Sequence, residues 1–293
     1  MVDRLSRAVA ATGTAALGAG LSTAALRAAT ASGAVPRRTN FRGSSVSMAG
    51  GPAVAFGATV AGVAGAQTPC AAVAVAIAGT AAGLVGGYDD LAGTRTGPAG
   101  DRHRTTKGFK GHLGALRQGE VTSGMVKLAG LGVASLIAAT ALTRTERHRR
   151  GPGGAAGKAL DVVVGAGLIA GTANLVNLLD LRPGRALKAV LVTAAPLAVG
   201  RGPGRGIAAA AAGAAAGLLK PDLTEQVMIG DSGANAVGAV LGTALVQQLP
   251  RPARIIALAA IVGLTAASEK ISFSKVITTT PVLRELDQLG RRA

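Results

Sequence analysis

Residues Gly157 to Asp180 read GKALDVVVGAGLIAGTANLVNLLD, and this stretch decides the fold. Its apolar run is long enough to cross a bilayer as a helix, which takes roughly 20 mainly apolar residues. The run closes on Asn174, Asn177 and Asp180, spaced i, i+3 and i+6. That spacing places the three on one helix face, within about 120° of arc. Polar groups on an otherwise apolar membrane helix need partners. They bond either to neighbouring helices or to a ligand at the membrane face.

Outward from this segment the pattern repeats. Apolar runs extend over 5–29, 46–65, 69–88, 124–142, 157–178, 186–199, 206–219, 233–249 and 253–273. The expected fold is therefore all-α, a polytopic transmembrane helical bundle of nine spans, or ten if one run divides. The sixth and seventh runs are short enough to form a re-entrant pair. Residues 1–293 read as a single integral membrane domain. Its loops on one side fall at about 30–45, 89–123, 179–186 and 220–232, with a tail at 274–293. The first run is longer than the apolar core of a cleaved signal peptide and reads as a membrane helix.

Composition agrees. The chain is 49% hydrophobic and 15% charged, with a mean hydropathy of +0.42. A soluble domain carries about 25% charged residues. With 4 Phe, 1 Tyr and no Trp, the usual interfacial aromatic belt is missing. The 44 glycines and the abundant alanines suit close helix packing, and such small-residue faces also suit a homodimer. The lone Cys70 forms no disulfide within the chain and reads as a buried thiol. A net charge of +17 raises nucleic-acid binding. The basic residues punctuate apolar runs without interleaved aromatics, so no nucleic-acid partner is expected; they suit anionic headgroups instead.

In a nine-span arrangement, 20 of the 31 Lys and Arg fall on the side that receives the loops after Arg27, Asp89, Arg182 and Lys220 and the C-terminal tail. The positive-inside rule makes that side cytoplasmic. The cluster Arg144, Arg147, Arg149 and Arg150 lies on the other side and opposes this assignment.

Two further polar motifs fall at span ends on the same side. Gly87-Tyr88-Asp89-Asp90 closes the third run. Adjacent carboxylates there are costly to desolvate. They read either as a solvated loop start or as groups that hold Mg²⁺ or remove a proton. Gly230-Asp231-Ser232-Gly233-Ala234-Asn235 opens the eighth run. Asp231 or Ser232 is a natural N-cap. The alternative adds a metal-binding carboxylate and helix N–H groups facing an anion, with Gly233 letting a ligand approach. Arg182, Arg185 and Lys188 follow the first motif and suit phosphate, or Arg182 pairs with Asp180.

The order of these motifs resembles the polyprenyl-phosphate N-acetylhexosamine-1-phosphate transferases, the family of phospho-N-acetylmuramoyl-pentapeptide transferase. The resemblance runs from Asn40-Phe41-Arg42-Gly43 through Gly242. Asp89-Asp90 matches the family's Asp-Asp motif. Asn174, Asn177 and Asp180 match its Asn-x-x-Asn-x-x-Asp, and Gly230, Asp231 and Gly233 match its Gly-Asp-x-Gly.

The resemblance implies Mg²⁺-dependent transfer, with Mn²⁺ as a substitute, of a sugar-1-phosphate from a UDP-sugar to polyprenyl phosphate. The reaction would take place at the cytoplasmic face of the plasma membrane, for cell-envelope glycan synthesis. It implies Asp89, Asp90 and Asp180 as catalytic residues and Asp231 as the Mg²⁺ ligand, with Asp180 a second. Asn174, Asn177, Lys107, Arg182, Gly230 and Gly233 would bind substrate. The chain departs from the family after Asp180, where it reads Leu181-Arg182-Pro183-Gly184-Arg185, and its tail lacks the family's histidine loop. These departures keep a second reading open, a non-catalytic relative that binds lipid phosphate or scaffolds an envelope complex. A small-solute transporter is a third; it would place its polar groups near the bilayer midplane.

Overall fold

The computed structural model describes residues 2–92, 122–145 and 154–291. Lys107, most of the expected 89–123 loop and three of the Arg144–Arg150 cluster's arginines lie outside the described residues. Among the described residues, nine helices of 15 to 31 residues form the bundle: α1 (Val2–Ser32), α2 (Gly50–Gly65), α3 (Pro69–Ala92), α4 (Ser123–Thr145), α5 (Ala155–Leu179), α6 (Arg185–Val199), α7 (Arg205–Leu223), α8 (Gly230–Gln248) and α9 (Arg251–Ser268). Two short helices, α10 (Phe273–Thr279) and α11 (Pro281–Gln288), form the tail.

Of these nine helices, five are long and apolar enough to cross a membrane: α1, α3, α4, α5 and α9. The protein is an all-α bundle with the character of a membrane protein. The remaining four long helices are shorter or more polar. The 15-residue α6 starts on Arg185 and carries Lys188, and α8 carries Asp231, Ser232, Asn235 and Gln247.

Helix α8 is the central post. Nearly every residue from Ser232 to Val246 is buried, against α2, α3, α5 and α7 above all. Its apolar surface is not a stripe but the whole circumference, as expected for a helix surrounded by others. Small residues let the neighbours close in. A Cβ on Gly238 would stand 2.7 Å from the Ala173 Cα, and one on Gly242 2.7 Å from the Ile169 Cα. The pairing 238 with 173 and 242 with 169 also makes α8 and α5 antiparallel, so the end of α5 meets the start of α8. The pairing of Gly86 with Ser232 and of Gly83 with Ala236 does the same for α3. The helix ends that carry the three motifs are thus brought to one end of the bundle.

The structure departs from the sequence reading at the start of the second run. Ser45–Ser47 is not helical. It forms strand β2, antiparallel to β1 (Arg37–Thr39), with Arg38 opposite Val46. The turn is set by Asn40, whose Oδ1 accepts from the backbone N–H of Arg42 and of Ser44, both at 2.9 Å. The Ser47 carbonyl then accepts from Met228 N–H at 2.9 Å, which ties the hairpin to the α7–α8 linker. The last run also ends early, at Ser268 instead of Phe273.

Candidate functional site

The site lies where α3, α5 and α7 end and α4 and α8 begin, under the β1–β2 hairpin. A cavity of about 400 Å³ opens there. Its walls are Arg38 to Phe41 of the hairpin, Asn177, Leu178 and Asp180 to Pro183 at the α5–α6 turn, and Asp222, Glu225, Met228, Gly230 and Asp231 of the α7–α8 connection.

Asp90 occupies the position expected of an N-cap. Its two carboxylate oxygens accept from the backbone N–H groups of Asp231 at 3.1 Å and Ser232 at 2.9 Å. The expected caps, Asp231 and Ser232, therefore do not cap: α8 starts at Gly230, which puts Ile229 at the cap position, and a carboxylate from α3 satisfies its free N–H groups and complements its positive end. Gly230 makes this possible. Its φ of +55° is a left-handed turn, and a Cβ there would sit 3.0 Å from both Asp90 oxygens. Arg38 from the hairpin reaches Asp90 at 3.9 Å.

With its backbone so held, Asp231 turns its side chain to Lys127, with which it forms an ion pair. The same ammonium lies 3.9 Å from Asp89. With its amide oriented to satisfy its neighbours, Asn177 donates to Asp231 Oδ1 at 3.0 Å and accepts from Lys127 Nζ at 3.0 Å. Four elements thus converge on one ammonium: α3 through Asp89, α5 through Asn177, α8 through Asp231 and α4 through Lys127 itself. Lys127 was missing from the sequence-based set, which expected Lys107 to meet phosphates. The signal was present, because Lys127 is a lone charge near the start of an apolar span.

Asp180 stands in the turn after α5 and lines the cavity. Burial, followed by the negative charges of Asp222, Asp231 and Asp90, holds its carboxyl well above the usual carboxylate range. Asp222 is itself buried and accepts from the Gly184 N–H at 2.6 Å. This fixes the turn that carries Leu181 to Gly184.

The hairpin wall is held by Glu225. Its carboxylate accepts from Asn40 Nδ2 at 2.5 Å and pairs with Arg42 at 3.3 Å. Glu225 does so at a φ of +57°, a conformation that costs a non-glycine residue about 1 kcal/mol or more. At the rim, the Arg182 guanidinium lies 4.1 Å from the centre of the Phe41 ring. Arg182 is thereby part of the cavity wall.

Four expectations are corrected. Arg185 is withdrawn from the site: it is buried and binds Asp287 of α11 through Nε at 2.8 Å and Nη2 at 3.0 Å. Lys188 donates to the carbonyls of Leu286 and Asp287 at 3.0 and 2.8 Å, so both residues face the tail and neither lines the cavity. Gly233 admits a helix and not a ligand, since a Cβ there would stand 2.6 Å from Val54 and 2.9 Å from Gly51. Asn174 lies one turn deeper than Asn177, is half-buried and is not part of the cavity wall.

Among the described residues, no three Asp, Glu, His or Cys side chains come together as a ready metal cage. The donor set still suits Mg²⁺, which prefers one or two carboxylates completed by water and phosphate oxygens. Asp231 and Asp180 face one cavity, and a divalent cation there would offset both the burial of the Asp180 carboxyl and the negative charges of Asp222, Asp231 and Asp90 around it. No protein-family model and no curated protein matches the chain.

Proposed function

We propose that the protein is a membrane-embedded phosphoglycosyltransferase, of nine spans, that moves a sugar-1-phosphate from a UDP-sugar to polyprenyl phosphate at the cytoplasmic face of the cell membrane. One observation carries this reading: Asp89, Asn177, Asp231 and Lys127, from four helices separated in sequence, meet beside a 400 Å³ cavity that Asp180 also lines. Three of these helices bring the motifs that resemble the transferase family.

In the reaction, a phosphate oxygen of the lipid attacks the β-phosphorus of the nucleotide sugar. The bond from that phosphorus to the bridging oxygen breaks, and UMP leaves with the bridging oxygen. Asp89 orients the lipid phosphate and takes its proton. Lys127 lies between Asp89 and Asp231, where an ammonium neutralises charge as it moves onto the leaving phosphate. Asn177 and Arg182 orient the diphosphate. Asp231 and Asp180 would hold Mg²⁺, which would supply further charge neutralisation when bound. Asp90 acts through the backbone by seating the first turn of α8, and so positions Asp231. The cavity has room for part of a nucleotide diphosphate and opens at the end of the bundle, where a lipid phosphate would present itself.

A second reading rests on Arg185. Its engagement by Asp287 removes a cation from the altered stretch after Asp180, which suits a relative that binds lipid phosphate without transfer.

The test is UMP release by purified protein supplied with undecaprenyl phosphate, Mg²⁺ and a panel of UDP-sugars. Release with one sugar, lost on chelation and in Asp231→Asn, is the expected outcome. Silence across the panel from folded, lipid-binding protein would favour the non-catalytic relative.

A further inference from the structure

We propose that the C-terminal tail, α10 and α11, lies in the headgroup layer of the bilayer, on the leaflet next to the candidate site, and grips an anionic lipid surface. The helix α11 has three distinct sides. Val282 and Leu286, one turn apart, and Leu289 at the C-cap form an apolar stripe that is 67%, 54% and 68% exposed. Beside the stripe, Asp287 is buried against Arg185, and Arg291 also bonds it at 2.5 Å. The remaining arc carries Arg284, Glu285 and Gln288, all exposed. One side is thus docked, one charged and wet, and one apolar and bare.

The occupant of the bare side follows from where the tail begins. α9 is one of the helices able to cross a membrane, and it ends at Ser268. Its own Ile256, Val262 and Leu264 are bare. The exposed apolar side chains continue past its end through Ile271 and Val276 into α11. A short helix with one apolar and one charged side, starting where a span leaves the bilayer, sinks its apolar side into the acyl–headgroup boundary. Lys270, Lys275 and Arg284 are exposed along the same segment, against the exposed acids Glu269 and Glu285. The excess of cations suits anionic headgroups.

The docked side gives this contact a consequence. Arg185 opens α6, and Arg291 donates to the Pro183 carbonyl at 2.9 Å. A tail seated in lipid therefore holds both ends of the turn between Pro183 and Arg185, next to the cavity wall. The proposal stands whether or not the site transfers sugar phosphate.

The chain has no Trp, so a single Trp is a unique probe. Leu286→Trp in the full chain, reconstituted in phosphatidylcholine vesicles with and without phosphatidylglycerol, is compared with Gln288→Trp. The expected result for Leu286→Trp is blue-shifted emission, severalfold quenching by phosphatidylcholine brominated high on its acyl chains, and little quenching by iodide. Phosphatidylglycerol should strengthen the effect, and Lys270→Gln with Lys275→Gln should remove that dependence. Gln288→Trp should show the reverse preference. Strong iodide quenching with no effect of bromolipid would place the stripe in water and overturn the proposal. Shielding from both quenchers would mean that protein covers it, which also overturns it. Val282→Trp repeats the reading on the same stripe if Leu286→Trp fails to fold.

Discussion

Asp90 and Asp231 are neighbouring carboxylates with separate tasks: Asp90 accepts the backbone N–H of Asp231 at 3.1 Å, while the Asp231 side chain pairs with Lys127. The pair Asp89-Asp90 therefore divides into one residue that builds the site and one that faces it. Asp90→Ala would leave two N–H groups of α8 unsatisfied, a loss of about 1–3 kcal/mol. It should lower the melting temperature in detergent as well as activity. Asp89→Asn should keep the melting temperature and lower UMP release by about 100-fold or more. Equal loss of stability in both variants would refute this division.

Lys127 is the cation that the two motif carboxylates share. Lys127→Gln removes the charge and retains much of the side chain's length. UMP release should fall by about 100-fold or more, the scale of losing one preorganised electrostatic contact. Lys127→Arg should recover only part of this, because a planar fork does not replace a point charge between three partners. Steady-state rates for the three proteins at saturating UDP-sugar would check it, and unchanged rates in Lys127→Gln would exclude the proposed role.

The contact of α5 with α8 leaves no space for side chains. Gly238→Val would place its Cβ 2.7 Å from the Ala173 Cα and 2.9 Å from the Thr172 carbonyl. Overpacking of this kind costs about 1–3 kcal/mol or more where backbone must move. A lower unfolding temperature in detergent is expected, with loss of activity following the loss of fold. Gly132→Val in α4, where nothing stands within 4 Å of the added Cβ, serves as the neutral control.

The tail should release in acid. Burial works to raise the Asp287 carboxyl, but the hydrogen bonds and charge of Arg185, together with Arg291, outweigh it and hold the carboxyl below the usual carboxylate range. A depressed carboxylate contributes stability that is present above its unfolded value, near 3.9, and is lost as the pH falls through its lower folded value. Cleavage of the tail by pepsin, which is active in acid, assayed at each pH from about 5 downward, should stay slow down to about pH 4 and rise below it. Asp287→Asn should be cleaved rapidly at every pH.

Most of the fold was legible because membrane crossing imposes a simple pattern. Each of the nine apolar runs corresponds to one of the nine long helices among the described residues, though only five of those are long and apolar enough to cross by themselves. The hairpin was missed because Ser45-Val46-Ser47 joins an apolar run in sequence, while the Asn40 turn pairs it backward with Arg37–Thr39. The site was legible as three motifs and not as an assembly. Asp89, Asn177, Asp180 and Asp231 do share one region. Nothing in their spacing, however, said that Asp90 would serve another helix's backbone, or that Lys127 would stand at the centre. The tail's capture of Arg185 was hidden for the same reason, since ion pairs between residues 102 positions apart leave no local signal.

The central place of α8 has a consequence for how the protein is made. The helix that α2, α3, α5 and α7 pack against is reached only at Gly230–Gln248, after the seven other long helices that precede it among the described residues. Until then the faces of α2, α3, α5 and α7 that α8 covers have no partner there, and Asp90 on α3 has no α8 backbone N–H to accept from. Assembly is thus a late closing step, and a chain stopped before Gln248 is not a smaller version of this protein but an unfinished one.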